Sequence, residues 1–317
     1  MGSFSSLSTR LLAFALSVSL LFTSSSGHGH SWDPYTDKAK MIHHDGPMLT
    51  KNVKLALMWY GNCGKDIKNT MMNFIKSLVL PGKDHLQPQV TRWWEVVESY
   101  QAMMPGAKPG KSPKIKVEVV KQSTNKSYKH GKVLTLQAHI PILIEELTKG
   151  DTSVLPVIVA ARDVSIQGLC NGKCADHLLT EDPKPRPYII VGNPETECPE
   201  ECGWPFVPAE LGSKGPVLKP PSGNMAADAM VIAFASTLAD AVTNPMENGI
   251  YHENSATPLG PAAVCKGIFG PGATPGNPGK VRTDPKTGGN FNAHGNKSKR
   301  FLLPAIWNPA TKACWTL

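Results

Sequence analysis

Strand-like and helix-like segments alternate along the middle of this 317-residue chain, which predicts an α/β layered domain with a mixed sheet. Two more observations shape that expectation. The stretch 224–242 (NMAADAMVIAFASTLADAV) is apolar around most of a helical circumference, so it belongs in the core. The Gly/Pro-rich last third contains two single cysteines, so it reads as an irregular region pinned by a disulfide.

Taken in order, residues 28–50 form an extended lead-in, and Val53–Tyr60 alternates and is rich in strand formers. Asp66–Leu80 places Ile67, Met71, Phe74, Ile75 and Leu78 on one helical stripe, ended by Pro81 and Gly82. Val90–Met103 is a second amphipathic helix carrying Trp93, Trp94, Val97 and Tyr100. After a loop at 105–113, Ile115–Val120 alternates as a strand, and Leu134–Leu147 is a helix kinked or broken at Pro141. Val154–Val164 and Tyr188–Val191 are buried strands. The helix at 224–242 ends at Thr243-Asn244-Pro245. Beyond Glu247 regular structure thins out, and 267–279 is a Gly/Pro loop. No repeat or separable second domain is evident.

The N-terminus reads as a secretory signal over residues 1–27: Arg10, the apolar run Leu11–Phe22, then small residues to Gly27. The run is far shorter than the ~20 residues of a spanning helix, and no later stretch suits a transmembrane segment. A mature domain of 28–317 is therefore expected in an extracellular space. Net charge is +8, or +7 once Arg10 is gone. No aromatic-basic motif suggests nucleic acid. A secreted basic chain attracts polyanions, so the charge points to an acidic matrix polysaccharide or an anionic membrane surface, or else serves solubility alone.

Seven cysteines suggest a disulfide framework for a secreted chain. The two C-x3-C pairs, Cys170/Cys174 and Cys198/Cys202, are expected to pair among themselves, and Cys265 with Cys314. Cys63 is left over, either a free buried thiol or a site of intermolecular pairing. A rival reading makes Cys170, Cys174 and His177 a zinc donor set. A cleaved N-terminus beginning His28-Gly29-His30 could hold copper.

His43 and His44 beside Asp45, and His252 beside Glu253, could do acid–base work, but no nucleophile is placed near them. Glu95, Glu98, Glu145 and Glu146 read as solvated helix faces. Asn125-Lys126-Ser127 and Asn296-Lys297-Ser298 are glycosylation sequons. Trp93 and Trp94 are neighbours and cannot share one helix face, so one of them is expected in the core. Trp204, near a disulfide loop, is the best candidate for a sugar-stacking aromatic, with Trp307 a further one.

Several segments resemble the EXORDIUM / phosphate-induced family of land plants. They are Cys198-Pro-Glu-Glu-Cys-Gly-Trp-Pro-Phe206, Thr243-Asn244-Pro245, Cys265-Lys-Gly-Ile-Phe-Gly270 and Phe301-Leu-Leu-Pro-Ala-Ile-Trp307. His44-Asp45-Gly46-Pro47, Trp59-Tyr60-Gly61 and the Gly168–His177 motif extend the likeness to nearly the whole mature chain. The resemblance implies a protein of the apoplast and cell wall linked to growth by cell expansion, with no established enzymatic activity. Cys63 falls outside the family's pattern.

The apolar helix and its Thr-Asn-Pro ending are also similar to the helix of secreted zincins that carries Ser-His-Glu-x-x-Glu-x-x-Thr-Asp-Pro, whose ligands four residues apart share one face. Aligned on Pro245, the His and general-base Glu fall on Ser236 and Thr237, and the third acidic ligand on Asp240. Asp240 alone could still hold a metal, and a lone carboxylate binds zinc weakly. The expectation is a zincin-like scaffold, or else Ser236, Thr237 and Asp240 as ordinary helix residues, in either case without catalysis or cofactor and acting by binding or signalling through an acidic cell-wall polysaccharide or a secreted or receptor protein. The alternative is a secreted hydrolase, either a metallopeptidase with an altered zinc site or an enzyme acting on wall polysaccharide.

Overall fold

The computed structural model describes residues 40–82, 86–108, 110, 112–181, 184–208, 215–252 and 258–317. The signal segment 1–27, the N-terminal histidines His28 and His30, and Glu253 lie outside the described residues.

The central sheet has five strands: β2 (Asn52–Tyr60), β3 (Lys116–Asn125), β5 (Leu155–Ala160), β7 (Ala175–Leu179) and β8 (Pro187–Val191), in the order β3-β2-β5-β8-β7. The first four are parallel and β7 runs antiparallel to β8 at the edge, so the sheet is mixed. β5 is buried at all six positions, as a parallel strand covered on both faces should be.

Three helices connect the parallel strands: α1 (Lys65–Val79) and α2 (Val90–Ser99) between β2 and β3, and α3 (His139–Thr148) between β3 and β5. Because β3 and β5 flank β2 on opposite sides, right-handed crossovers place α1 and α3 on opposite faces of the sheet. The short α4 (Pro199–Cys202) follows β8, and then comes the core helix α5 (Met225–Thr243). Asn224 caps α5 by accepting from the Ala227 N–H at 2.9 Å. α5 packs on α1, with Phe74 and Phe234 edge-to-face at 6.2 Å between ring centroids. α5 is long and apolar enough to cross a membrane, but most of it is buried in the core.

Several boundaries differ from the sequence reading. β3 runs on to Asn125, five residues past Val120, because an edge strand tolerates the polar run 121–125. Leu134 belongs to a two-residue strand, β4 (Val133–Leu134), paired with β6 (Ser165–Ile166). α3 starts only at His139, so Pro141 falls in its first turn, where a missing N–H costs nothing. β7 has no counterpart in the sequence pattern, because its five residues are too few to show a periodicity. Both Trp93 and Trp94 are fully buried, against the expectation of one. The chain covers two sides of α2: the Trp93 indole donates to Pro304 O at 2.8 Å and the Trp94 indole to Ile115 O at 2.9 Å.

The C-terminal third is built from two-stranded pieces. β1 (Met41–His43) pairs with β9 (Ile250–His252), β10 (Arg282–Thr283) with β11 (Asn290–Phe291), β12 (Ala293–His294) with β13 (Arg300–Phe301), and β14 (Ile306–Asn308) with β15 (Ala313–Trp315). Disulfides link Cys170 to Cys198, Cys174 to Cys202 and Cys265 to Cys314. The first two join the β6–β7 loop to α4 and its preceding residue. The third closes a 49-residue loop.

Candidate functional site

Open α/β sheets usually bind ligands at the carboxyl ends of the strands where the strand order reverses. Here that point lies between β2 and β5, and it is filled. At the end of β2, Gly61 has φ +88°, and a Cβ there would meet the Ala161 Cβ at 2.6 Å and Tyr128 at 3.0 Å. The Tyr60 hydroxyl donates to Gly131 O at 2.8 Å and accepts from the His130 N–H at 2.9 Å. Tyr128 reaches over to Asp163 at 3.0 Å. The loop 126–132 thereby closes the crevice.

Asp240 lies in the last turns of α5. Its Oδ1 is shut off from solvent and has no hydrogen-bond partner, although the residue as a whole keeps some surface. Gly260 packs closely against that oxygen: a Cβ there would stand 2.0 Å from it. Burial pushes the Asp240 carboxyl up to about 7, only partly offset by the nearby Ala262 N–H. Thr237 is buried and Ser236 half-buried, and neither supplies a ligand.

The zinc reading of Cys170, Cys174 and His177 is corrected. Both thiols are consumed in disulfides, and His177 Nε2 lies 3.1 Å from Pro245 O. Among the described residues, the one group of three candidate metal-binding side chains is Cys170, Cys198 and Cys202, all disulfide-bonded. Cys63 is buried, with its sulfur near Val159 O and Tyr60 O, and burial pushes its thiol up to about 12.

The other candidates scatter. His43 bonds Gly46 O at 2.9 Å, and His44 stacks on Tyr251 at 3.6 Å. Glu145 and Glu146 are exposed, and Glu146 pairs with Lys129. Glu98, expected on a solvated face, is buried and accepts the Ile115 N–H at 2.8 Å. Trp307 is buried, and Trp204 is half-buried against Phe269. Asn125 closes β3, and Asn296 sits in a turn beside β13.

One segment concentrates charge. Residues 280–300 contain Lys280, Arg282, Lys286, Lys297, Lys299 and Arg300 against the single acid Asp284. The first five cations are exposed. Asp284 is buried and pairs with Arg300, whose guanidinium lies 5.2 Å from the Phe291 ring centre. Backbone donation from Lys286 leads the interactions that hold the Asp284 carboxyl below its usual range. Two clefts border this stretch. One, of about 350 Å³, lies between Leu218, Pro271 and Lys280. The other, of about 300 Å³, lies between α1 and residues 298–301. The sequence signal for the face was its local charge: six cations in 21 residues stand out once counted by segment rather than over the whole chain.

A profile of the family described as "Phosphate-induced protein 1 conserved region" matches residues 41–317. Protein EXORDIUM-like 6 of Arabidopsis thaliana is 38% identical over 83% of this chain and 87% of its own. Protein EXORDIUM of the same plant is 36% identical over 87% and 88%. Protein PHOSPHATE-INDUCED 1 of Nicotiana tabacum is 32% identical over 87% of each. No solved structure matches. On a family match running from the first described strand to the last residue, with relatives aligned over most of their length, the chain belongs to the EXORDIUM / phosphate-induced protein family.

Proposed function

We propose that this is a secreted cell-wall protein that promotes growth by cell expansion as a non-catalytic binding module, and that its basic C-terminal face holds an acidic wall polysaccharide. Family membership supports the link to plant growth. Three disulfides suit an extracellular, oxidising compartment. The observation that carries the binding mode is the exposed cation cluster of residues 280–300 beside two clefts. Such a cluster attracts a polyanion at long range and is screened by salt.

The scaffold is zincin-like in this reading: parallel strands and an antiparallel edge strand lead into a core helix ending in Thr243-Asn244-Pro245. The hydrolase alternative has less support, since the positions of the His and general base hold Ser236 and Thr237 and Gly260 packs against the Asp240 carboxylate. The test is chromatography of the mature protein on immobilised polygalacturonate and on a neutral glucan. Retention on the polyanion alone, released by moderate salt, is the expected result. Passage through both columns at low salt would end the reading.

A further inference from the structure

The smaller cleft differs in chemistry from the face it borders. One wall is a stripe of α1: Asp66, Asn69, Thr70 and Asn73, spaced so that all four lie on one helical face. Their side chains make no hydrogen bond within the protein among the described residues. The opposite wall holds the Arg300–Asp284 pair, whose guanidinium Nε is buried without a partner. Lys299 stands exposed at the rim.

Two carboxylates and two cations line the space, so its net charge is near zero, which does not suit a phosphate or sulfate dianion. On the α1 wall two amides and the Thr70 hydroxyl offer donors and acceptors together, and a polyhydroxylated ligand needs that mixture. About 300 Å³ is the low end for a small-molecule site. Pro221 adds an apolar surface for the C–H face of a ring.

We propose that this cleft is a subsite for a single ring of a uronic-acid saccharide. The α1 amides take its hydroxyls and Lys299 its carboxylate, while the chain continues over the basic face. The inference rests on the polyanion reading above.

The experiment is calorimetric titration of endoglycosidase-trimmed mature protein with trigalacturonate and with cellotriose, in wild type and in the Asn69→Ala/Asn73→Ala double variant. Asn69 is exposed and alanine favours a helix, so the variant should fold, as an unchanged melting temperature would verify. The expected result is binding of trigalacturonate by wild type, at least tenfold weaker binding by the double variant, and weak or no binding of cellotriose. Equal affinity in wild type and variant would overturn the subsite and leave the basic face standing. Equal affinity for cellotriose would overturn its acid preference. Failure of both trigalacturonate and polygalacturonate to bind at low salt would remove the face and the subsite together.

Discussion

At the scale of single residues, burial sets the chemistry of three groups. Cys63 is enclosed between β2 and β5 with its thiol pushed up to about 12, so thiolate is scarce at neutral pH. Native protein should therefore leave Cys63 unlabelled by a thiol reagent, with one thiol per chain appearing only in denaturant; fast labelling of native protein would contradict this. Asp228 accepts from the Ser222 N–H and hydroxyl at 2.8 and 2.7 Å, yet burial dominates and pushes its carboxyl up to about 7. Asp240 is shifted the same way. Between the ordinary carboxylate value and about 7, the folded state keeps protons that the unfolded chain has lost, so stability falls as pH rises through that window. For Asp228 alone the effect is on the order of 4 kcal/mol at most. In the other direction, His177, held low by burial, costs stability as pH falls below the ordinary imidazole value, and Asp163 and Asp284, held low, lose their contribution toward and below the usual carboxylate range. Calorimetry should find a higher melting temperature at pH 5 than at pH 8, and Asp228→Asn should shrink the difference. A flat profile would show that the carboxyl is better solvated than its surroundings imply.

At the scale of elements, legibility followed burial on one or two faces. α1 is readable because its apolar residues repeat at the helical period, and β2, β5, β8 and α5 because their apolar runs have the length of the element they form. The polar half of β3 and all of β7 lie at sheet edges, where packing places little demand on the sequence. The paired burial of Trp93 and Trp94 depends on Pro304, more than 200 residues away, and no local pattern carries that information. Closure of the strand-order crossover by Tyr128 was likewise invisible to spacing, whereas the cation run at 280–300 was countable in advance. Two substitutions test the packing. Phe234→Ala, at the α1–α5 contact, should cost about 3–5 kcal/mol in denaturant unfolding. Replacing Cys265 and Cys314 by serine removes a cross-link spanning 49 residues and should cost about 4 kcal/mol. A loss under 1 kcal/mol would mean that the β14–β15 hairpin holds the tail without the bond.

At the scale of the molecule, the α/β layer acts as a support. Its usual ligand crevice is filled by the 126–132 loop, and its core helix presents no ligand set at Ser236, Thr237 and Asp240. The C-terminal third carries the exposed cations of 280–300 and lines one cleft by itself and a second together with α1; short hairpins and one disulfide hold it. The most direct test of that account compares wild type with a variant carrying Lys280→Gln, Arg282→Gln, Lys286→Gln and Lys297→Gln. Affinity for polygalacturonate is measured across salt concentrations. All four side chains are exposed, so the fold should survive. The account predicts that wild-type affinity falls about tenfold or more from low to physiological salt, and that the variant binds weakly with a flatter salt dependence. Equal affinity and equal salt dependence in the two proteins would contradict it.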